Sequence, residues 1–260
     1  MFDKVWGNGW RLGWAGVLAA ALLAGCANAP QSRVQQDDLL NRATIHTELG
    51  QGYYEHGEVA VALKELDEAI RVDPAYAPAY NMRALVYMHL GQEAQARADF
   101  SRALALTPKD AALNNDYGWF LCQHGSPGAS IKYFMTAIAD PLYATPDKAY
   151  VNAGLCALKA NDAGRAEQYF TDALERQPDN PQALYHLADL AFRAGRFARA
   201  SALAHKLLTV SAPTAENLWL AIRIAHAAGD RDTEASAAML LRSRFAQSPQ
   251  AQALARGNYQ

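Results

Sequence analysis

The chain has 260 residues, with 24 basic and 26 acidic side chains, a formal net charge of −2, and half of its residues apolar. No run of lysine or arginine stands out, so the electrostatic footprint of a nucleic-acid-binding protein is missing. Proline and glycine fall mainly between periodic apolar segments, which excludes a low-complexity or disordered chain.

At the N-terminus, Lys4 and Arg11 precede an apolar run from Leu12 to Leu23. That run is too short and too rich in alanine and glycine for a comfortable membrane span. Residues 1–25 have the layout of a secretory signal peptide. The ending Leu23-Ala24-Gly25-Cys26 resembles a bacterial lipobox, which implies cleavage before Cys26 and lipidation of that cysteine. Acyl chains contribute about 0.8 kcal/mol per buried methylene, so three of them anchor a protein essentially permanently. Ala27 follows, not the aspartate that retains lipoproteins at the inner membrane. The resemblance therefore implies an outer-membrane location, lipid-anchored and facing the periplasm. After Cys26, the polar stretch to Arg42 contains Pro30 and little periodicity, and residues 26–42 read as lipidated cysteine plus tether.

From Ala43 a period of about 34 residues takes over. It is clearest between Ala77 and Pro108. Tyr80, Ala84 and Tyr87 mark one face of a helix, Gly91 ends it, Ala96, Phe100 and Ala103 mark a second helix, and Pro108 closes it. Alanine at repeat positions 8, 20 and 27 lets the two helices approach, and large residues at 4, 11 and 24 fill between them. This spacing resembles the tetratricopeptide repeat (TPR). One such hairpin cannot bury its own apolar face, so neighbours are required. They follow at 43–76, 77–110, 111–146, 147–180, 181–214 and 215–246, the last degenerate as a terminal repeat tends to be. The expected fold is all-α, a TPR superhelical solenoid of about six helix-turn-helix repeats over 43–246. The interval Leu142 to Pro146 reads as a two-residue loop extension, and the tail 247–260 as one more helical turn or a frayed end.

No catalytic constellation survives inspection. The seven histidines form no HExxH and no cysteine–histidine pairing at metal spacing. Gly50-Gln51-Gly52 superficially begins a phosphate loop but lies inside a helix pattern with no strand before it. The expectation is a non-enzymatic protein without cofactor, metal or small-molecule substrate. Cys122 and Cys156 lie on the first helices of adjacent repeats. In an oxidising compartment they are open to a disulfide, the alternative being two small buried thiols.

In stacked repeats, positions 2, 5, 9 and 12 of each first helix are free of the hairpin's own packing and available for recognition. They are read as Tyr54, Asn81, Leu85, Met88, Asn115, Trp119, Tyr185, Phe192 and Trp219. Aromatic and apolar groups with a few amides suit an extended peptide or an amphipathic helix.

The segment Asn114-Asn115-Asp116-Tyr117-Gly118-Trp119-Phe120-Leu121-Cys122, with Asp140-Pro141-Leu142-Tyr143 downstream, a lipobox and six repeats, resembles the PilF/PilW family of type IV pilus biogenesis and stability lipoproteins. The resemblance covers nearly the whole chain. It implies a pilotin role, in which the lipoprotein helps the outer-membrane secretin reach the membrane and assemble into its ring, through protein–protein contact. A periplasmic TPR adaptor for another envelope complex is the alternative.

Overall fold

The computed structural model describes residues 29–259, with side chains from residue 33. Among the described residues there are thirteen α-helices and no strand, and the fold is an all-α array of TPR hairpins. Two compact units divide the chain, 29–106 and 107–259. Cys26 and the leader lie outside the described residues.

The first unit holds α1 (Ala29–Glu55), α2 (Val59–Val72), α3 (Ala77–His89) and α4 (Glu93–Leu106). α1 packs on α2, α3 on α4, and α3 also meets α2 and α1. The tether expected over 27–42 is helical from Ala29 onward. Pro30 sits in the first turn, where proline costs nothing, and the residues that follow lack glycine and are rich in helix formers. Most side chains from Arg33 to Arg42 face solvent, so this segment extends α1 as an exposed helical spacer.

Arg83 ties the unit together. Its guanidinium donates to both carboxylate oxygens of Asp99 on α4, at 2.7 and 2.8 Å, and to Asp67 on α2 at 2.6 Å. Those bonds hold its pKa above the ordinary arginine value despite partial burial. His46 of α1 pairs with Glu65 of α2 at 2.7 Å.

The second unit holds four hairpins and a terminal helix. These are α5 (Ala111–Gln123) with α6 (Pro127–Ile138), α7 (Pro146–Lys159) with α8 (Ala163–Arg176), α9 (Pro181–Arg193) with α10 (Phe197–Val210), α11 (Ala215–Ala228) with α12 (Arg231–Arg244), and α13 (Pro249–Ala255). Helix starts are capped by side chains of Asp110, Asp162, Asn180, Thr214, Asp230 and Ser248, each accepting a main-chain N–H three residues on. The tail is therefore ordered, since α13 packs on α12 and α11 and buries Ala251 and Leu254. Between repeats, Arg196 and Arg199 both reach Glu167, and His186 stacks on Phe170 at 4.9 Å.

Turns within the hairpins need a left-handed residue. Glycine supplies it at 57, 91, 125, 195 and 229, and Asn161 (φ 60°) does so in the fourth repeat, where glycine is missing from the pattern.

Close approach explains repeat position 8. A Cβ on Gly50 would lie 2.7 Å from Leu66 Cγ, one on Gly118 2.9 Å from Phe134, and one on Gly154 2.6 Å from Phe170. The sixth repeat reverses the sizes. Ile222 stands at position 8 and Ala238 at position 24, both in one buried cluster. That exchange is why the last repeat reads as degenerate. The connection between α6 and α7, residues 139–145, is longer than 107–110 or 177–180. Tyr143 fills the extra length by packing on Ala111, Ala137 and Ala149, while Leu142 points outward.

Cys122 and Cys156 are joined as a disulfide, with 5.7 Å between their Cα atoms and a sequence separation of 34. It staples α5 to α7, and both cysteines are buried. A cross-link closing a loop of this length stabilises by about 3 to 4 kcal/mol in the chain-entropy account. Replacing both cysteines by alanine should lower the unfolding free energy of the second unit by a comparable amount, read by urea denaturation. An unchanged midpoint on reduction would contradict it.

A paired substitution tests the close approach. Gly50→Ala should destabilise the first unit by about 1 to 3 kcal/mol, because Leu66 and the Ala62 carbonyl must yield. Gly52→Ala meets nothing within 4 Å and should stabilise by about 0.5 to 1 kcal/mol through helix propensity. Circular dichroism melts of the two variants compare them directly.

Candidate functional site

The first helix of each hairpin presents one face that the second helix does not cover. In the first unit, Tyr54 of α1 meets His89 of α3 edge-on, with ring centroids 5.5 Å apart. Asn81, Leu85 and Met88 lie half-buried along α3. These four form one patch. The other five predicted residues lie in the second unit, on α5, α9 and α11.

There, Asn115 on α5 accepts a hydrogen bond from Asn152 on α7, at 3.0 Å. One turn further, Trp119 is half-buried against the disulfide, Phe134 and Ala153. Lys159 of α7 donates to the Gln123 carbonyl at 3.2 Å, continuing a line of polar bonds between these two first helices. On α9, Tyr185 and Phe192 pack over a cluster that includes Ala188, Ala191 and Leu220. Burial pushes the Tyr185 hydroxyl above its ordinary pKa. Arg223 of α11 places its guanidinium 4.9 Å over the Phe192 ring, a cation–π contact.

Trp219 is the exception among the predicted residues. It packs on the last core cluster, and the ring of Tyr259, from the chain's own tail, stacks against it at 6.0 Å. One side of its ring is therefore taken by the chain's own tail, and the residue is half-buried.

Three residues of these faces escape a sequence reading. Asn152 stands at position 6 of the fourth repeat, outside the four positions read for recognition. Arg223 holds position 9 of the sixth repeat, where the degenerate pattern hides it. Tyr259 follows the last periodic segment and carries no sequence signal at all. Among the described residues, no three His, Cys, Asp or Glu side chains converge as a metal site requires.

The faces carry amides, aromatic rings and a thioether. Amides offer hydrogen bonds to a peptide backbone, and rings and thioethers offer apolar contact that adapts to a partner. Trp119→Ala should cost about 3 kcal/mol of stability, because it empties the space against the disulfide. Asn152→Ala removes one half-buried hydrogen bond and should cost about 1 kcal/mol or less. Urea unfolding separates the two, and equal costs would show that Trp119 contributes little packing.

Comparison with known proteins completes the description. Residues 47–111 match the tetratricopeptide repeat family model, and residues 142–246 match that of the middle TPR-like domain of cilia and flagella-associated protein 70. The chain is 27% identical over 227 residues to the type IV pilus assembly protein PilF of Pseudomonas aeruginosa, covering 86% of this chain and 90% of the relative. The crystal structure of PilW, described as a widely conserved type IV pilus biogenesis factor, is 32% identical with a TM-score of 0.74, covering 82% of this chain and 97% of that one. The structure of Pseudomonas aeruginosa PilF is 26% identical with a TM-score of 0.76, covering 84% of this chain and 98% of that one.

Proposed function

The chain belongs to the PilF/PilW family of TPR proteins of type IV pilus biogenesis, and from that premise we propose that it is an outer-membrane lipoprotein serving as pilotin for the pilus secretin. Its lipidated Cys26 confines it to the periplasmic face of the membrane, and its first-helix faces hold a segment of the secretin subunit. Confinement at the bilayer raises the local concentration of captured subunits, so ring assembly gains without any new contact between them. Neither nucleotide nor bond-making is needed.

The observation that carries this reading is the character of the faces. Tyr54 with His89, Asn115 with Asn152, and Phe192 with Arg223 each join neighbouring first helices while remaining partly open to solvent. They are formed without a partner, yet offer rings and amides of the kind that an extended segment bonds. The leader is consistent with export, and no described helix is long and apolar enough to cross a membrane. Attachment through Cys26 would therefore supply the membrane link.

Deletion of the gene should abolish the SDS-resistant secretin multimer in outer-membrane fractions, and the wild-type gene should restore it. Cys26→Ser should give a folded protein that leaves the outer-membrane fraction and restores little multimer. Undiminished multimer in the deletion strain would redirect the search to another envelope complex.

A further inference from the structure

The end of the chain turns back on the last repeat. Gly257 (φ 65°) reverses the backbone after α13, and Asn258 N–H bonds the Ala253 carbonyl at 3.0 Å. This brings Tyr259 onto α11. Its ring lies flat on His226, with centroids 3.9 Å apart and planes 8° from parallel, and also faces Trp219. Its hydroxyl donates to Glu234 Oε1 at 2.9 Å. Its main-chain carbonyl accepts from Arg223 Nε at 3.0 Å.

Trp219, Arg223 and His226 occupy positions 5, 9 and 12 of the sixth repeat, counted from Ala215. These are the positions that form the recognition face in the other hairpins. Ring, hydroxyl and carbonyl of one residue are thus each received by a separate group, as a bound peptide residue would be. We propose that the sixth repeat carries a docking site for a peptide tyrosine, filled in the resting chain by its own Tyr259 and taken over by a partner segment that presents the same residue.

Two observations give a partner the advantage over the tail. Tyr259 is held to the site by a linker of a few residues after α13, so its hold is that of an effective concentration in the millimolar range. Beside Tyr259 an open cleft of about 860 Å³ continues past Arg231 and Arg242 to Met239. Met239 is 69% exposed. A partner segment anchored at the tyrosine position can run on into this cleft. The thioether supplies adaptable apolar contact there and the guanidiniums favour an acidic flank.

This inference is independent of which envelope protein the chain serves, and purified protein tests it. The probe is the acetylated pentapeptide Arg-Gly-Asn-Tyr-Gln, the sequence of residues 256–260. Full-length Tyr259→Ala, with its site vacated, should bind the probe by calorimetry at least about tenfold more tightly than the wild type, whose tail competes at millimolar effective concentration. A probe with alanine in place of tyrosine should not bind. Adding Glu234→Gln to Tyr259→Ala should weaken probe binding several-fold, because the hydroxyl loses its charged acceptor. Equal binding by wild type and variant, or no binding by a folded Tyr259→Ala, overturns the proposal and leaves the tail a cap on the last core cluster. Should Tyr259→Ala not fold, Tyr259→Phe keeps the stacking and frees the hydroxyl contact. It should then bind the probe several-fold more tightly than the wild type, and parity with the wild type counts against the site.

Discussion

The contact on which this molecule depends is the approach of two helices at one small residue. In the first, third and fourth hairpins a glycine on the first helix lies under Leu66, Phe134 or Phe170 of the second, with no room for a methyl group. Each of those large side chains is fully buried. Burying one contributes about 1.5 to 3 kcal/mol, and that gain is available only at this helix spacing. The sixth hairpin reaches the same end by the opposite assignment, Ile222 on the first helix and Ala238 on the second. In these four hairpins one member of the pair is small and the other large, and either helix can supply the large one.

Once the pair is set, the first helix has a face left over. Its residues join neighbouring first helices by paired amides, by edge-on rings and by an arginine over a phenylalanine. Such contacts are modest, about 0.5 to 1.5 kcal/mol each, and leave polar and aromatic edges exposed. A face of this kind is firm enough to be presented in one shape and open enough to be recruited by a partner. The same positions in the last repeat receive Tyr259, so the protein itself displays the class of residue they accommodate.

The segment from Asn114 to Cys122 shows how many duties one helix carries. Asn114 is buried and donates to the Pro108 and Asp110 carbonyls, fixing the loop before its own helix. Asn115 turns to the neighbouring helix, Gly118 admits Phe134, Phe120 is fully buried, and Cys122 joins Cys156. Neighbouring residues of this helix thus face different environments, which accounts for why so distinctive a string sits inside an otherwise generic repeat. The longer connection after α6 belongs to the same construction, since Tyr143 packs against the start of α5 at Ala111.

Helix content, hairpin period, turn positions and the small-against-large pairing were all legible in the amino-acid sequence, because each depends on local spacing that repeats. Cys122 and Cys156 could be placed on adjacent first helices by the same counting, whereas the 5.7 Å between their Cα atoms could not. The helical start at Ala29 was obscured because an exposed helix has no apolar stripe to betray it. Asn152 was missed because it stands at position 6, outside the positions read for recognition, and Arg223 was masked by a repeat whose size pattern is inverted. Tyr259 had no periodic context, and its place against Trp219, His226 and Glu234 arises from a chain reversal beyond the last repeat. Period and composition determine which helices form and which faces they bury. Which side chains meet across those helices depends on distances between residues far apart in the chain, and these exist only once the hairpins have packed.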